Sequence, residues 1–521
     1  MCIMFDDTPT VYCTNLAVGM NVLRRGFKLT AALTAGTTAT AWLVYRRERS
    51  AVPAGSELVR AKSAPPQTTH LKRLATDNLM GGFDAYYLAA TWFYDKPLDA
   101  AAIKATLEAA VTAMPALAGR RTSDGIVLSN KGARFSVCEE HAGSARDWAR
   151  ADDEVVAAPG VRSFVDTPSS CSGGEQPLFT VRVTNFADGT SAIGIAAPHS
   201  LMDGQSYMSV VSALAAAHAQ QGRFDGVSVP DFDAATVWEK ATSELDITNE
   251  PTLPVSYRLL TWIEPLWALG MKRLDSLIPQ AKVHLSFDEL TELKTAVGKT
   301  LKGSGSSKVS LTTNEALSAA FFLALADEPT GPFPTPNPPP KVRMVVNVQG
   351  KGLFAGVTNV AGNFSWMEWM DTPKLPKEMT SMAEAAAFFV DLGAKWRDEA
   401  KCAACVDDMA RFFRIQDIKG YLWDQTDSVE NTLFVNNQSG WPTAQISFGA
   451  GPPIGYQPWH SHQHLHIVAA PEPPVEASSW SSKKRQRLAG GVDVYLPKDF
   501  SPLLGTPAFK QKLLYGWRDG K

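Results

Sequence analysis

The sequence predicts an α/β chain with mixed sheets, divided into at least two lobes. Three observations predict it. At 521 residues the chain is too long for one simple core. Apolar residues make up 45% and charged residues 20%, the balance of a folded globular protein. Helix-like and strand-like patterns alternate along its length.

Residues 1–64 read as an extension ahead of the folded body. Leu29 to Tyr45 is a Thr- and Ala-rich apolar run of 17 residues between Arg24, Arg25, Lys28 and Arg46, Arg47, Arg49. That is the short end of what spans a bilayer, and it starts too late for a simple signal peptide. An organelle-targeting segment, a membrane anchor and a non-functional extension all stay open. The expected location is intracellular: organelle-targeted or anchored through residues 29–45, otherwise cytoplasmic.

Ala100–Met114 has apolar residues at helical spacing, Phe179–Phe186 alternates like a half-buried strand, and Ser191–Ala197 reads as a buried strand. A polar loop, Asp225–Asp233, follows an Ala-rich helix. Lys302–Lys308 is Gly/Ser-rich and precedes a strand-like Val309–Leu311. Asn314–Ala326 is a helix with Thr312 or Thr313 as its N-cap. Pro329–Pro340 holds seven prolines in twelve residues and must be an extended loop. Met344–Val348, Thr432–Val435 and Val492–Leu496 read as strands. The boundaries drawn are a first lobe over 65–225, a crossover over 226–282 and a second lobe over 283–521.

A net charge of -3 without a basic stripe points away from nucleic acid. There is no P-loop, dinucleotide fingerprint or zinc-ligand spacing. Six cysteines do not make a disulfide framework, and Cys402-x-x-Cys405 lies in an Ala-rich helical stretch as ordinary thiols. His460, His462, His464 and His466 alternate, so on a strand they share a face; at about 7 Å spacing they suit a polar wall better than one tetrahedral ion. His70, His141, His218 and His284 have no nameable partner, and no metal is expected.

The informative segment is Ala196-Ala197-Pro198-His199-Ser200-Leu201-Met202-Asp203-Gly204. An apolar strand ends at His199, Asp203-Gly204 follows, and a helix-like run continues through Ala217. A neutral imidazole at a strand end is suited to taking a proton from an alcohol. Gly204 is expected to turn the chain through a backbone angle that other residues avoid. H-x-x-x-D-G alone leaves open a satisfied structural histidine beside a turn.

This motif resembles that of the BAHD acyltransferases, chloramphenicol acetyltransferase and peptide-synthetase condensation domains. Met114-Pro115-Ala116-Leu117-Ala118-Gly119-Arg120 resembles the "LAGR" ending of the BAHD first helix. Val346-Asn347-Val348 with Gly362-Asn363 resembles the second-lobe strand and "GN" element. Ser447-Phe448-Gly449-Ala450-Gly451-Pro452-Pro453 resembles a degenerate "DFGWG-k-P". Together they span roughly residues 70–500.

The resemblance implies two similar chloramphenicol-acetyltransferase-like lobes, each a mixed sheet with helices, meeting at a central channel. It implies an acyl-CoA-dependent O-acyltransferase (an amine acceptor less so), with His199 as general base and no covalent enzyme intermediate. Acyl-CoA enters as co-substrate with no bound cofactor, an alcohol is the acceptor, and the chain is a monomer. Fourteen tryptophans and 24 phenylalanines are available to line an apolar channel. Asp203 is structural by resemblance, and the family arginine that pairs with it falls at Gln349, a neutral partner. Counting eleven positions back from Ser447, as the family's hydroxyl residue lies, reaches Asn436 as an oxyanion donor; two asparagines ending a strand are the plain alternative. Ser447 and Ala450 depart from the family's Asp and Trp. The competing readings are a wax-ester or diacylglycerol-synthase-like enzyme and an inactive ligand-binding paralogue.

Overall fold

A computed structural model describes residues 55–62, 69–74, 76, 87–122, 125–149, 164–168, 174–246, 248, 280–303, 310–326, 328, 331–332, 341–371, 379, 381–415, 432–459, 465–471 and 488–517. Residues 29–45 and three of the alternating histidines, His460, His462 and His464, lie outside that set. Among the described residues, no helix is long and apolar enough to cross a membrane.

The strands are β1 Glu57–Val59, β2 His70–Lys72, β3 Tyr87–Tyr94, β4 Arg120–Arg121, β5 Gly125–Val127, β6 Ala133–His141, β7 Thr180–Phe186 and β8 Ser191–Pro198. They continue with β9 Gln280–Leu285, β10 Lys341–Asn347, β11 Ser365–Asp371, β12 Thr432–Gln438, β13 Gly455–Trp459, β14 Leu465–Ala469 and β15 Val492–Pro497. The helices are α1 Ala100–Ala113, α2 Ala145–Ala149, α3 Gly204–Ala219, α4 Ala234–Ala241, α5 Phe287–Gly303, α6 Thr313–Ala326, α7 Met382–Arg397, α8 Glu399–Ile415 and α9 Pro507–Tyr515.

Two six-stranded sheets organise the chain, in the orders β1-β6-β7-β8-β3-β13 and β11-β10-β12-β14-β15-β9. Both are mixed, with parallel pairs β6–β7, β10–β12 and β12–β14. The expected α/β class with two mixed-sheet lobes is what the molecule has.

In the first sheet, β3 and β8 are buried along their whole length, as central strands covered on both faces must be. One face packs Ile103, Leu107 and Val111 of α1 and Tyr207, Val211 and Leu214 of α3. On the other, Gly194 lets the backbone of Phe164 come within 1.8 Å of where a Cβ would stand, an approach only glycine permits.

In the second sheet, Leu433, Val435, Leu465, Ile467 and Val494 meet α5, α6, α7 and α9. The alternate side chains look toward the first lobe. Asn347 reaches Asp203, Lys282 Nζ donates to Ala149 O at 3.3 Å, and Tyr495 OH donates to Tyr456 O at 3.0 Å. His466 lies on this face, beside Asn436 and Tyr495 in register.

Two expectations need correction. Val309–Leu311 was expected as a strand, but residues 310–312 lead into α6 instead. Thr312 Oγ1 accepts from Glu315 N, and Glu315 Oε2 accepts from Thr312 N, a capping box that commits the segment to the helix. Residues 455–459, expected within the second lobe, form β13 at the edge of the first sheet, antiparallel to β3. Pro458 has no N–H to give a ladder, which an edge position tolerates.

Candidate active site

β8 delivers Pro198 to a tight turn in which Leu201 N donates to Pro198 O at 2.9 Å. His199 and Ser200 occupy that turn, Met202 follows it, and Asp203 begins α3 as its N-cap, accepting Ser206 N on Oδ1 at 2.9 Å. The strand-to-helix junction read from the sequence is therefore real, and His199 sits half-buried at its apex.

The His199 ring is held by Asn363, a buried residue just before β11. Asn363 Nδ2 donates to His199 O at 2.8 Å, which turns its Oδ1 toward His199 Nδ1 at 3.1 Å. An amide oxygen only accepts, so Nδ1 carries the proton and Nε2 keeps the lone pair. One side chain thus sets both the orientation and the tautomer.

Asp203 is fully buried. Its Oδ2 accepts from Asn347 Nδ2, Phe364 N and Ser365 Oγ, each at 3.0 Å. Burial raises its pKa, while the donated hydrogen bonds oppose that shift. Its backbone N–H donates to Gly362 O at 3.1 Å, and Ser206 Oγ donates to Val360 O and Gly362 O. The start of α3 is thereby fastened to the segment carrying Asn363.

The expected partner of Asp203 was Gln349, and that is wrong by two residues. Gln349 Nε2 donates to Val360 O at 2.8 Å and its Oε1 accepts from Val360 N at 3.2 Å, folding the loop after β10 back on itself. Asn347 points to the first lobe because it is the last residue of β10 on that face. The partner is neutral, as expected, but its shorter amide acts together with Ser365 and a backbone N–H.

Gly204 also differs from expectation. It does not adopt a left-handed angle and is the first residue of α3. What demands glycine is space: a Cβ there would stand 2.5 Å from Trp441 Cη2.

Asn436 lies inside β12 rather than ending it, buried and facing the first lobe. Asn437 Oδ1 accepts from Ser439 N at 2.9 Å and shapes the turn beyond the strand. Ser447 leads into a hinge in which Phe448 is buried in the first core. Gly449 (φ +86°) and Gly451 (φ +91°) take conformations that suit only glycine. This hinge carries the chain from the second sheet to β13.

His218, at the far end of α3, finds a partner the sequence did not reveal. Its Nδ1 meets Thr106 Oγ1 at 3.0 Å, its ring lies 5.7 Å from that of Phe448, and burial lowers its pKa. His284 Nδ1 meets Asp493 Oδ1 at 2.8 Å. Cys402 and Cys405 are free thiols on α8 whose pKa values burial raises.

Sequence reasoning missed Asn363 as the ring holder, Asn347 and Ser365 as Asp203 partners, and Trp441 against Gly204. Gly362-Asn363 and Asn347 lie in segments the sequence singled out, but their roles depend on contacts spanning more than 140 residues.

Residues 55–257 match the model of the Transferase family. No curated protein sequence matches the chain. Among solved structures, vinorine synthase is 15% identical, with a TM-score of 0.55, over 87% of this chain and 96% of that one. TRI101 of F. sporotrichioides, solved with coenzyme A and T-2, is 14% identical, with a TM-score of 0.58, over 85% and 98%. The first condensation domain of the calcium-dependent antibiotic synthetase is 14% identical, with a TM-score of 0.50, over 87% and 98%. The match and the shared fold bear out the BAHD-type resemblance.

Proposed function

We propose that this chain, of the Transferase family over residues 55–257, moves an acyl group from acyl-CoA to a hydroxyl of a small or lipophilic acceptor, with His199 as general base. The family match and the fold support acyl transfer in general. The observation that carries the finer reading is the Asn363 clamp, which leaves His199 Nε2 as the basic nitrogen.

In the proposed reaction Nε2 takes the acceptor's proton as its oxygen attacks the thioester carbonyl. The tetrahedral intermediate collapses, the C–S bond breaks, and the thiolate recovers the proton from Nε2–H. The Asn436 amide is a candidate donor to the oxyanion. Coenzyme A in the TRI101 structure supports acyl-CoA as the donor. An inactive paralogue is disfavoured because the missing family arginine leaves no defect: Asp203 is fully hydrogen-bonded by neutral groups. We read residues 29–45 as a targeting or anchoring segment, to be checked by where a reporter fused to residues 1–64 accumulates.

The test is thiol release from a panel of acyl-CoAs with mixed alcohols, by the full chain and its His199→Ala variant. Acceptor-dependent release that falls by about 10²–10⁴ in the variant is the expected result. Release that survives the substitution removes His199 as the base.

A further inference from the structure

β10 and β12 pair only from Lys341–Thr432 to Met344–Val435, although each continues for three more residues. Beyond that point β10 stays with β11 and β12 stays with β14. The two strands part, and the wedge between them opens toward the first turn of α3. Asn347 stands on one side and reaches Asp203. On the other stands Gln438, whose Nε2 lies 3.7 Å from where a Cβ on Gly204 would be, beside Trp441.

Gln438 is 3% exposed, and its Oε1 is buried without a hydrogen-bond partner. Its register neighbour on β14 is Val468, which offers no polar group. A buried amide oxygen left unpaired is costly, and one retained in a native fold calls for a donor that the chain itself does not supply. A carboxamide does not ionise near neutrality, so Gln438 can orient a substrate but cannot move its proton.

We propose that Gln438 is a substrate-binding residue whose Oε1 accepts an N–H or O–H of a bound reactant at the wedge between β10 and β12. The inference rests on the acyl-transfer reading and deepens it. Under that reading two groups supply the donor: an amide N–H of the pantetheine arm of acyl-CoA, or a second hydroxyl of the acceptor.

The experiment uses the full chain with Gln438→Leu and Gln438→Glu, varying acyl-CoA and acceptor separately and recording thermal melts. Gln438→Leu should raise KM for one reactant about tenfold while kcat stays within about threefold, because the contact is a single neutral hydrogen bond. Gln438→Glu, which keeps an acceptor oxygen but buries a carboxylate, should bring KM back toward wild type while lowering Tm. A rise in KM for acyl-CoA, matched by weaker binding of free coenzyme A, assigns the pantetheine arm. A rise confined to the acceptor assigns its hydroxyl. Tm should not fall in Gln438→Leu, since no protein partner is lost. Unchanged KM for both reactants, or a lowered Tm with kcat and KM both impaired, overturns the proposal and leaves His199 catalysis standing. Absence of turnover in the wild-type chain removes the acyl-transfer reading and this inference together.

Discussion

The two ends of α3 are built by opposite rules. At the first turn, Asp203 is sealed from solvent and takes four hydrogen bonds, three from the second lobe. At the last turn, His218 is only half-buried, and it touches Thr106 and the hinge at Phe448. The first end has little freedom to change, because the carboxylate is fully buried and each of its donors is aimed at it from a fixed position. The second end holds its partner by ring packing and one side-chain hydrogen bond.

Substitutions can break or sharpen the contrast. The largest effect is expected from Asp203→Leu, which orphans the donors on Asn347, Phe364, Ser365 and Ser206 at a fully buried site. Chemical denaturation should show a loss of about 3–5 kcal/mol. Asp203→Asn, which turns one acceptor into a donor among donors, should cost about 1–3 kcal/mol.

Next comes Gly204→Ala, whose methyl meets Trp441. Overpacking of about 1–3 kcal/mol is expected, and Trp441→Phe should relieve part of it in a double-mutant cycle. Additivity of the two changes would show that the contact is not what excludes a side chain at 204.

Asn363→Leu should leave the fold in place and lower kcat by up to about 10², since the ring loses its fixed tautomer. A variant equal to wild type would mean that another group orients His199.

The smallest effect belongs to His218. Its pKa in the fold lies below the ordinary histidine value of 6.5, so the fold favours the neutral ring. The resulting stability is present above pH 6.5 and is lost as pH falls through the lowered value. Melting curves between pH 7 and 5 should therefore decline less steeply in His218→Gln than in wild type. At pH 7 the substitution should cost no more than about 1 kcal/mol. Equal slopes would remove His218 as the titrating group.

Much of this was legible in the sequence. The 3.6 period of α1, the unbroken apolar run of β8, and the strand–histidine–helix junction are local signals, and the structure follows them. What was illegible is non-local. Asn347 rather than Gln349 meets Asp203 because β10 ends with that side chain on the inter-lobe face, a matter of register that spacing does not encode. Gly204 looked like a turn glycine because Asp-Gly usually is one; the indole that demands it lies 237 positions away. β13 was missed because five residues with a proline carry no strand pattern of their own until β3 supplies the partner.

That returning strand bears on how the molecule can be divided. A cut in the crossover would not yield two self-sufficient halves, since the N-terminal piece would leave without its outer strand. β3, an apolar strand, would then present a bare row of N–H and C=O groups, a template for sticking to other chains. Severed halves should be soluble only when made together, and the second lobe cannot come away whole unless β13 is stripped from the first sheet.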